Sequence, residues 1–332
     1  MAAAGLPGVA GAQMQPYTPA ELRERIGEAP GAGRFFSLVD LPARRCRLWE
    51  ERTVLGGAEW AAANRARAGG AVTGTRLVGS TLITDAVLGD RPGQSPAASF
   101  GPAEEGKGGE ALVDCHTRGK DVVTRWRALA GAGVGLAASL GLAAGVTGFH
   151  ASGLDAIGGD RAVELEVTTP ALSRLLIGID DTDTKEGGAT WSLARRATAG
   201  VDDMAVLSLR VVQLFPGVPT KTTNCVATLV EAAVAPWMKE VVKIEVRDRV
   251  ESLSSSGQAG LVFAEGIEFA RWKEAAAFAA RARTTLVAPS EAEAAAHALG
   301  AQVALDGRGL IGAVAAVGAA EMGPEAADVA RA

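Results

Sequence analysis

The chain has 332 residues, 48% hydrophobic and 21% charged, which is enough for one large or two ordinary cores and too apolar for extensive disorder. Thirty-three basic residues against thirty-eight acidic ones leave a formal charge of −5, so no overall field attracts a polyanion and nucleic acid is expected to be an unlikely partner. Cys46, Cys115 and Cys225 stand far apart with no CxxC, which excludes a zinc ribbon or a disulfide framework and points to a reducing cytoplasm.

Residues 1–20 lack a basic segment followed by an apolar core and read as a flexible leader, not a secretory signal. A helix is expected from Pro19 to Ile26, strands at 34–41 and 45–52, and an Ala-rich helix between the paired glycines of 56–70. Residues 75–87 are rich in β-branched side chains and predict one strand, and 89–109, packed with Gly, Pro and Ser, predict a loop. A strand at 111–115 leads into HTRGKD at 116–121 and then into the uncharged run 128–149. That run is long enough to span a bilayer, but it is made of Ala and six Gly with little Leu, so a buried helical region is expected instead. Residues 162–168 alternate as a half-exposed strand that Thr168-Thr169-Pro170 should end. The expected domains are therefore 21–170 and 171–332 after the leader.

In the second half the pattern reads as a strand at 175–179, a helix at 190–197, a strand at 205–215 and a helix at 224–234. A helix at 236–251 follows, although its valines also suit a strand, then a strand at 260–264. A helix at 268–283 should place Phe269, Trp272, Ala276 and Ala279 on one face, before a strand at 302–305 and a last helix from Leu310. The alternation predicts an α/β fold of two layered domains.

The strongest chemical signal is LLIGIDDTDTKEGGATW. An apolar strand ends in Asp180, Asp181 and Asp183, followed by Gly187, Gly188 and Thr190. Carboxylates this close repel one another by about 1 kcal/mol per pair in water and more when buried, a cost that a cation relieves. Hard oxygen ligands favour Mg2+, and glycines ahead of a helix start let backbone N–H groups approach a phosphate. A solvated acidic turn is the alternative for such a segment. A haloacid-dehalogenase phosphatase does not fit, because aligning the final DDT puts Gly178 at the nucleophile and aligning Asp181 there puts Lys185 where Thr or Val belongs.

This segment resembles the kinase domain of the archaeal tRNA-Ile agmatinylcytidine synthetase, with its GIDDTDS motif, short glycine loop and Thr-Thr pair. GRGLIGAVAAVG at Gly307–Gly318 is similar to a glycine-containing helix of the same family. The methanogenesis marker protein 11 family is a nearer likeness: it shares DTDTKE, GATW, a segment like Phe215 to Val226, and a Gly-Lys-Asp followed by a Gly/Ala-rich stretch like 119–148. The resemblance implies that the second domain is kinase-like, that the aspartates serve metal and nucleotide, and that Thr190 matches a phosphorylated threonine. Ala189 stands where the synthetase has Cys and Trp191 where it has a second Thr.

FPGVPTKTTNCVATL offers Lys221, Thr222, Thr223 and Asn224 at an expected helix start, where phosphate oxygens are readily bound. An ordinary loop with Asn224 as helix cap is the competing reading. Cys225 is expected to be a structural thiol more than a nucleophile. In HTRGKD, Lys120 offers an anion contact and His116 an acid or base without a visible partner. GAGVG at 131–135 has no strand before it and suits close packing better than a dinucleotide, and SSSGQAG at 254–260 is a polar loop or a linker.

The expectation is a cytoplasmic ATP- and Mg2+-dependent phosphotransferase or ligase that activates an oxygen of a small substrate. Asp180, Asp181 and Asp183 hold the metal; Asp181, Thr190 and Lys185 carry the chemistry; Gly187, Gly188, Lys221, Thr222, Asn224 and Lys120 hold the nucleotide. The alternatives are a non-catalytic nucleotide-binding or assembly module, suggested by Trp191 and Ala189, and a tRNA-modifying synthetase.

Overall fold

In the computed structural model, residues 13–26, 32–52, 55–95, 101–129, 137–152, 154, 162–267 and 272–328 are described. The chain divides into two compact units, residues 1–172 and 173–332. The first holds β1 (Gln15–Pro16), α1 (Pro19–Ile26), β2 (Ala32–Asp40), β3 (Arg45–Arg52), α2 (Leu55–Ala68), β4 (Val72–Val78) and β5 (Thr81–Val87). It continues with α3 (Glu105–Gly108), β6 (Glu110–Arg118), β7 (Asp121–Leu129), β8 (Gly148–Ala151) and the beginning of β9 (Ala162–Asp180).

In this unit β2, β3, β5 and β4 pair as neighbouring antiparallel strands, and β7 and β8 flank the early part of β9. A parallel contact at Ser37–Ala171 and Leu38–Leu172 joins β2 to β9. The pairing buries Phe35, Leu48, Leu112, Trp126 and Leu165 in one core. Beside that core the Arg65 guanidinium donates to Glu50 at 2.7 Å and Glu110 at 2.8 Å and lies over the Trp126 ring. A buried guanidinium needs this pairing to offset its lost hydration.

Several expected elements are corrected here. Residues 75–87 are not one strand: Gly79 adopts φ +60° and turns the chain between β4 and β5. HTRGKD spans the end of β6, the Gly119-Lys120 turn and the start of β7, with Gly119 at φ +64°. The run 128–149 is not one helix, since its described parts are the end of β7, a short 3-10 turn at Ala138–Leu142 and the start of β8. GAGVG at 131–135 lies outside the described residues. Among the described residues no helix is long and apolar enough to cross a membrane. Thr168-Thr169-Pro170 does not end its strand: β9 runs through it, because Pro170 accepts an extended φ and each neighbour is paired.

The second unit continues with the end of β9, α4 (Thr190–Thr198), β10 (Met204–Gln213), β11 (Val226–Val234) and α5 (Lys239–Leu253). Then come β12 (Gly260–Glu265), α6 (Lys273–Thr284), α7 (Pro289–Leu299), β13 (Gln302–Asp306) and α8 (Leu310–Gly318). The fold is mixed α/β, with the strands antiparallel in the order β10-β11-β9-β12-β13. Alternate residues of β9 serve opposite faces: Leu175, Ile177 and Ile179 meet Leu193, Val242 and Val246, whereas Leu176 joins Phe278, Ala313 and Val317. Both faces are covered, which is why LLIGI reads as a continuous apolar run.

The expected helix at 224–234 is a strand. Its alternation of small and β-branched residues pairs with β10 on one side and β9 on the other, and both faces are buried, so no helical period was ever present. On α6 the buried side is Ala275, Phe278, Ala279 and Ala282, with Trp272 just ahead of it, while Ala276 is half-buried and Phe269 lies outside the described residues. Helix α7 starts where Pro289 takes its first turn and Glu291 accepts the Ala288 N–H, and it ends at Gly300 with φ +67°.

The contact that seats α8 is backbone against backbone. A Cβ on Gly178 would lie 2.0 Å from the Ala313 carbonyl oxygen. Gly178→Val is therefore predicted to cost about 3 kcal/mol through overpacking, seen as a clear fall in Tm; an unchanged Tm would refute this seating of the helix.

Candidate functional site

At the C-terminal end of β9 the backbone turns sharply. Asp181 adopts φ +54°, Thr182 is buried, and residues 184–187 form a tight turn before α4. Ser254 Oγ and the Ser255 N–H donate to the Thr182 carbonyl, which ties the polar segment 254–260 to this turn. A pocket of about 210 Å³ opens there, with Asp180, Asp181, Asp183 and Thr190 on one side and the loop 214–226 on another. Trp191, Leu214, Val218, Leu286, Val287 and Ile311 supply its apolar wall.

The three aspartates face different partners. Asp181 accepts from Arg308 Nε at 2.7 Å. Asp183 accepts from Thr190 Oγ1 at 3.3 Å and from Thr222 Oγ1 at 3.1 Å. Asp180 lies against α8, where a Cβ on Gly312 would fall 1.8 Å from its Oδ2. A preformed cage of three carboxylates is thus corrected: the left-handed turn at Asp181 splays them, and among the described residues no three His, Cys, Asp or Glu side chains form a group able to hold a metal. Magnesium commonly takes only one or two carboxylates and completes its shell with water and phosphate. The oxygen donors of Asp180 and Asp183 on the pocket wall suit an ion that arrives with a nucleotide.

Thr190 is buried, and its Oγ1 accepts the Thr182 N–H at 3.4 Å and lies 3.1 Å from Thr182 Oγ1. Gly188, Lys221, Thr222 and Asn224 line the same pocket. Lys221 donates to the Pro216 carbonyl of its own loop at 2.7 Å. Because β11 is a strand, Thr222, Thr223 and Asn224 do not stand at a helix N-terminus, and the loop is held by Gln213, which donates to the Asn224 and Cys225 carbonyls. Cys225 is no activated nucleophile: its thiol donates to the Phe215 carbonyl, and burial followed by the nearby Asp180 charge pushes its pKa up.

Lys185 and Gly187 are exposed in the turn 184–187 and do not line the pocket. Lys120 belongs to the first unit, in the β6–β7 turn, where its carbonyl accepts the Ala171 N–H. Arg308 and Gly312 were missed as site residues. Both lie in the GRGLIGAVAAVG segment, whose glycines signal close approach without saying to what.

Residues 176–248 match the TiaS TCKD domain model. An uncharacterized protein of Methanocaldococcus jannaschii is 37% identical over 169 residues, covering 49% of this chain and 56% of the relative; this chain thus spans a little over half of that relative's length. Two solved structures of TiaS are similar in part. The complex with an isoleucine tRNA and ATP is 27% identical at a TM-score of 0.40, covering 45% of this chain and 37% of that one. The complex with the same tRNA, AMPCPP and agmatine is 26% identical at 0.39, with the same coverage. By this match, residues 176–248 of the second unit are similar to the TiaS TCKD domain. The expectation from net charge that nucleic acid is an unlikely partner is overturned by the match to the TiaS domain model. A net charge summed over the whole chain does not report the local surface that meets an RNA.

The Asp180 carboxyl is pushed up to about 8, chiefly by burial, with the Asp181 and Asp183 charges adding and Arg308 opposing. An unfolded aspartate titrates at about 3.9, so the folded chain holds the extra proton and stability falls as pH rises between these values, levelling off above the higher one. Asp180→Asn removes that loss. Its Tm is predicted to rise by a few degrees at pH 8 and by less at pH 5; equal shifts at both would show that the carboxyl does not carry the proton.

Proposed function

We propose that this chain is an ATP-using, ligase-type enzyme of the tRNA-modifying kind, with the pocket of the second unit as its nucleotide site and an RNA as its acceptor. The observation that carries this reading is the Asp183 carboxylate held between the Thr190 and Thr222 hydroxyls. A carboxylate accepting a hydroxyl hydrogen bond stands where a general base must stand. As Thr190 Oγ1 forms a bond to a phosphorus, the bond from that phosphorus to the leaving phosphate breaks and the hydroxyl proton passes to Asp183. The Thr182 N–H and hydroxyl, both bonded to the same oxygen, fix its position. Asp180 would hold a magnesium ion, which would supply neutralisation of the phosphate charge. Arg308, paired with Asp181 at the rim, is placed to exchange that carboxylate for a phosphate oxygen.

An RNA acceptor is supported by helix α4. Trp191 is 49% exposed at the pocket mouth, and Arg195, one turn on along the same face, is also exposed. An aromatic face beside a guanidinium is a stacking platform for an unpaired base. In our reading the motifs DTDTKE, GATW and NCV also place the chain with the methanogenesis marker protein 11 family.

Incubation with ATP labelled at the α and γ positions, with and without bulk tRNA, tests this. Wild-type chain is expected to consume ATP faster with RNA present. Asp183→Asn should be slower by about 10²–10⁴-fold, and Thr190→Val should remove any phosphothreonine found at that position by mass spectrometry. ATP use indifferent to RNA, or wild-type turnover by Asp183→Asn, defeats the assignment. Nucleotide binding with no turnover would make the second unit a nucleotide-binding module instead.

A further inference from the structure

The first unit contains a polar side-chain cluster that the proposed nucleotide site does not use. His116, on β6, is 2% exposed, and its Nδ1 lies 2.9 Å from Asp114 Oδ2. Asp114 is fixed in turn by the Gly93 N–H at 3.0 Å and the Ser95 N–H at 3.2 Å. A carboxylate oxygen accepts, so Nδ1 donates to Asp114 and Nε2 is the nitrogen left for a ligand. That nitrogen has no hydrogen-bond partner among the described residues. His116 lines a pocket of about 220 Å³ together with Arg91, Arg118, Arg125 and Glu166.

Three guanidiniums face one carboxylate there. Glu166 is already engaged by Arg118 Nη1 at 3.1 Å, and Arg118 Nη2 donates to Thr168 Oγ1 at 3.0 Å, which holds that guanidinium in place. Arg125 pairs with Glu164 at 3.2 Å. His116 is clamped on one edge and aimed, on the other, into a basic recess.

We propose that this pocket is a second ligand site, separate from the nucleotide site, that takes a terminal phosphate, a phosphate monoester dianion or its monoprotonated form. The proton inventory selects this class. A monoester has its second pKa near 6, so a neutral imidazole with a monoanion and an imidazolium with a dianion contain the same single proton, shared between Nε2 and a phosphate oxygen. A backbone diester has no such proton to share, and sulfate is fully ionised at neutral pH. The arginines then meet the remaining oxygens.

The test is 1H–13C NMR of the His116 ring in the full chain, titrated with inorganic phosphate. Saturable shifts with a Kd of about 1 mM are expected, with sulfate at least tenfold weaker. His116→Asn keeps a donor for Asp114 and removes Nε2, so phosphate binding followed by 31P line broadening should be lost. Arg118→Gln, at a partly exposed position, should weaken binding about tenfold without change in the circular dichroism spectrum. Titration with AMP and with a 5′-phosphorylated trinucleotide, each against its dephosphorylated form, separates a free nucleotide from an RNA end as the source. No saturable shift up to about 50 mM phosphate, or equal binding by His116→Asn and wild type, overturns the proposal. ATP consumption by the second unit is expected to be unchanged in both variants, so failure here leaves the nucleotide-site reading standing and the reverse also holds.

Discussion

The close approach of α8 to β9 governs the second unit. At Gly178, Gly309 and Gly312 there is no room for a Cβ, because the facing atoms are the Ala313 carbonyl, the Asp180 carbonyl and the Asp180 carboxylate. An apolar helix this near the strand end strips water from one aspartate and leaves it little beyond its neighbours' charges and one arginine to settle against. The raised pKa of Asp180 follows from that contact, while the turn at Asp181 sends the other two aspartates to Arg308 and to the Thr190 and Thr222 hydroxyls. Strand and helix are packed for density, and the polar chemistry is displaced to where the packing stops.

That division explains what could be read in advance. LLIGI followed by three aspartates was legible as a strand with a charged end because a buried strand has to be apolar and its exit does not. The last helix was legible for a similar reason. VATLVEAAV was not, because small residues suit a helix by propensity and a doubly covered strand by packing, and only its partners decide. Pro170 misled for a related cause: a proline ends a helix reliably, but in a strand it only has to stand where its missing N–H is not needed.

The site was legible as a set of residues and not as an arrangement. Thr190, Thr222 and Asp183 are 39 positions apart at the extremes, and nothing along the chain says that one carboxylate meets both hydroxyls. Lys185 and Gly187 drew attention because they adjoin the aspartates, yet adjacency in sequence carries the chain away from the pocket after a tight turn. Arg308 reaches Asp181 across a separation of 127 residues. The His116 pairing shows the opposite case: Asp114 lies two positions away on β6, and residues so spaced on a strand share a face. The one-residue shift in pairing between Leu112 and Asp114 lies directly beside them.

The parallel pairing of Ser37 with Ala171 has a consequence for synthesis. A ribosome delivers β2 long before it delivers β9, and the intervening loop must close over more than a hundred residues at an entropic cost that no local hairpin shares. The β2–β3 hairpin can form early, but the side of β2 that later receives β9 keeps its backbone groups in water until then. During that interval the nascent N-terminal segment exposes an unpaired strand edge of the kind that chaperones cover.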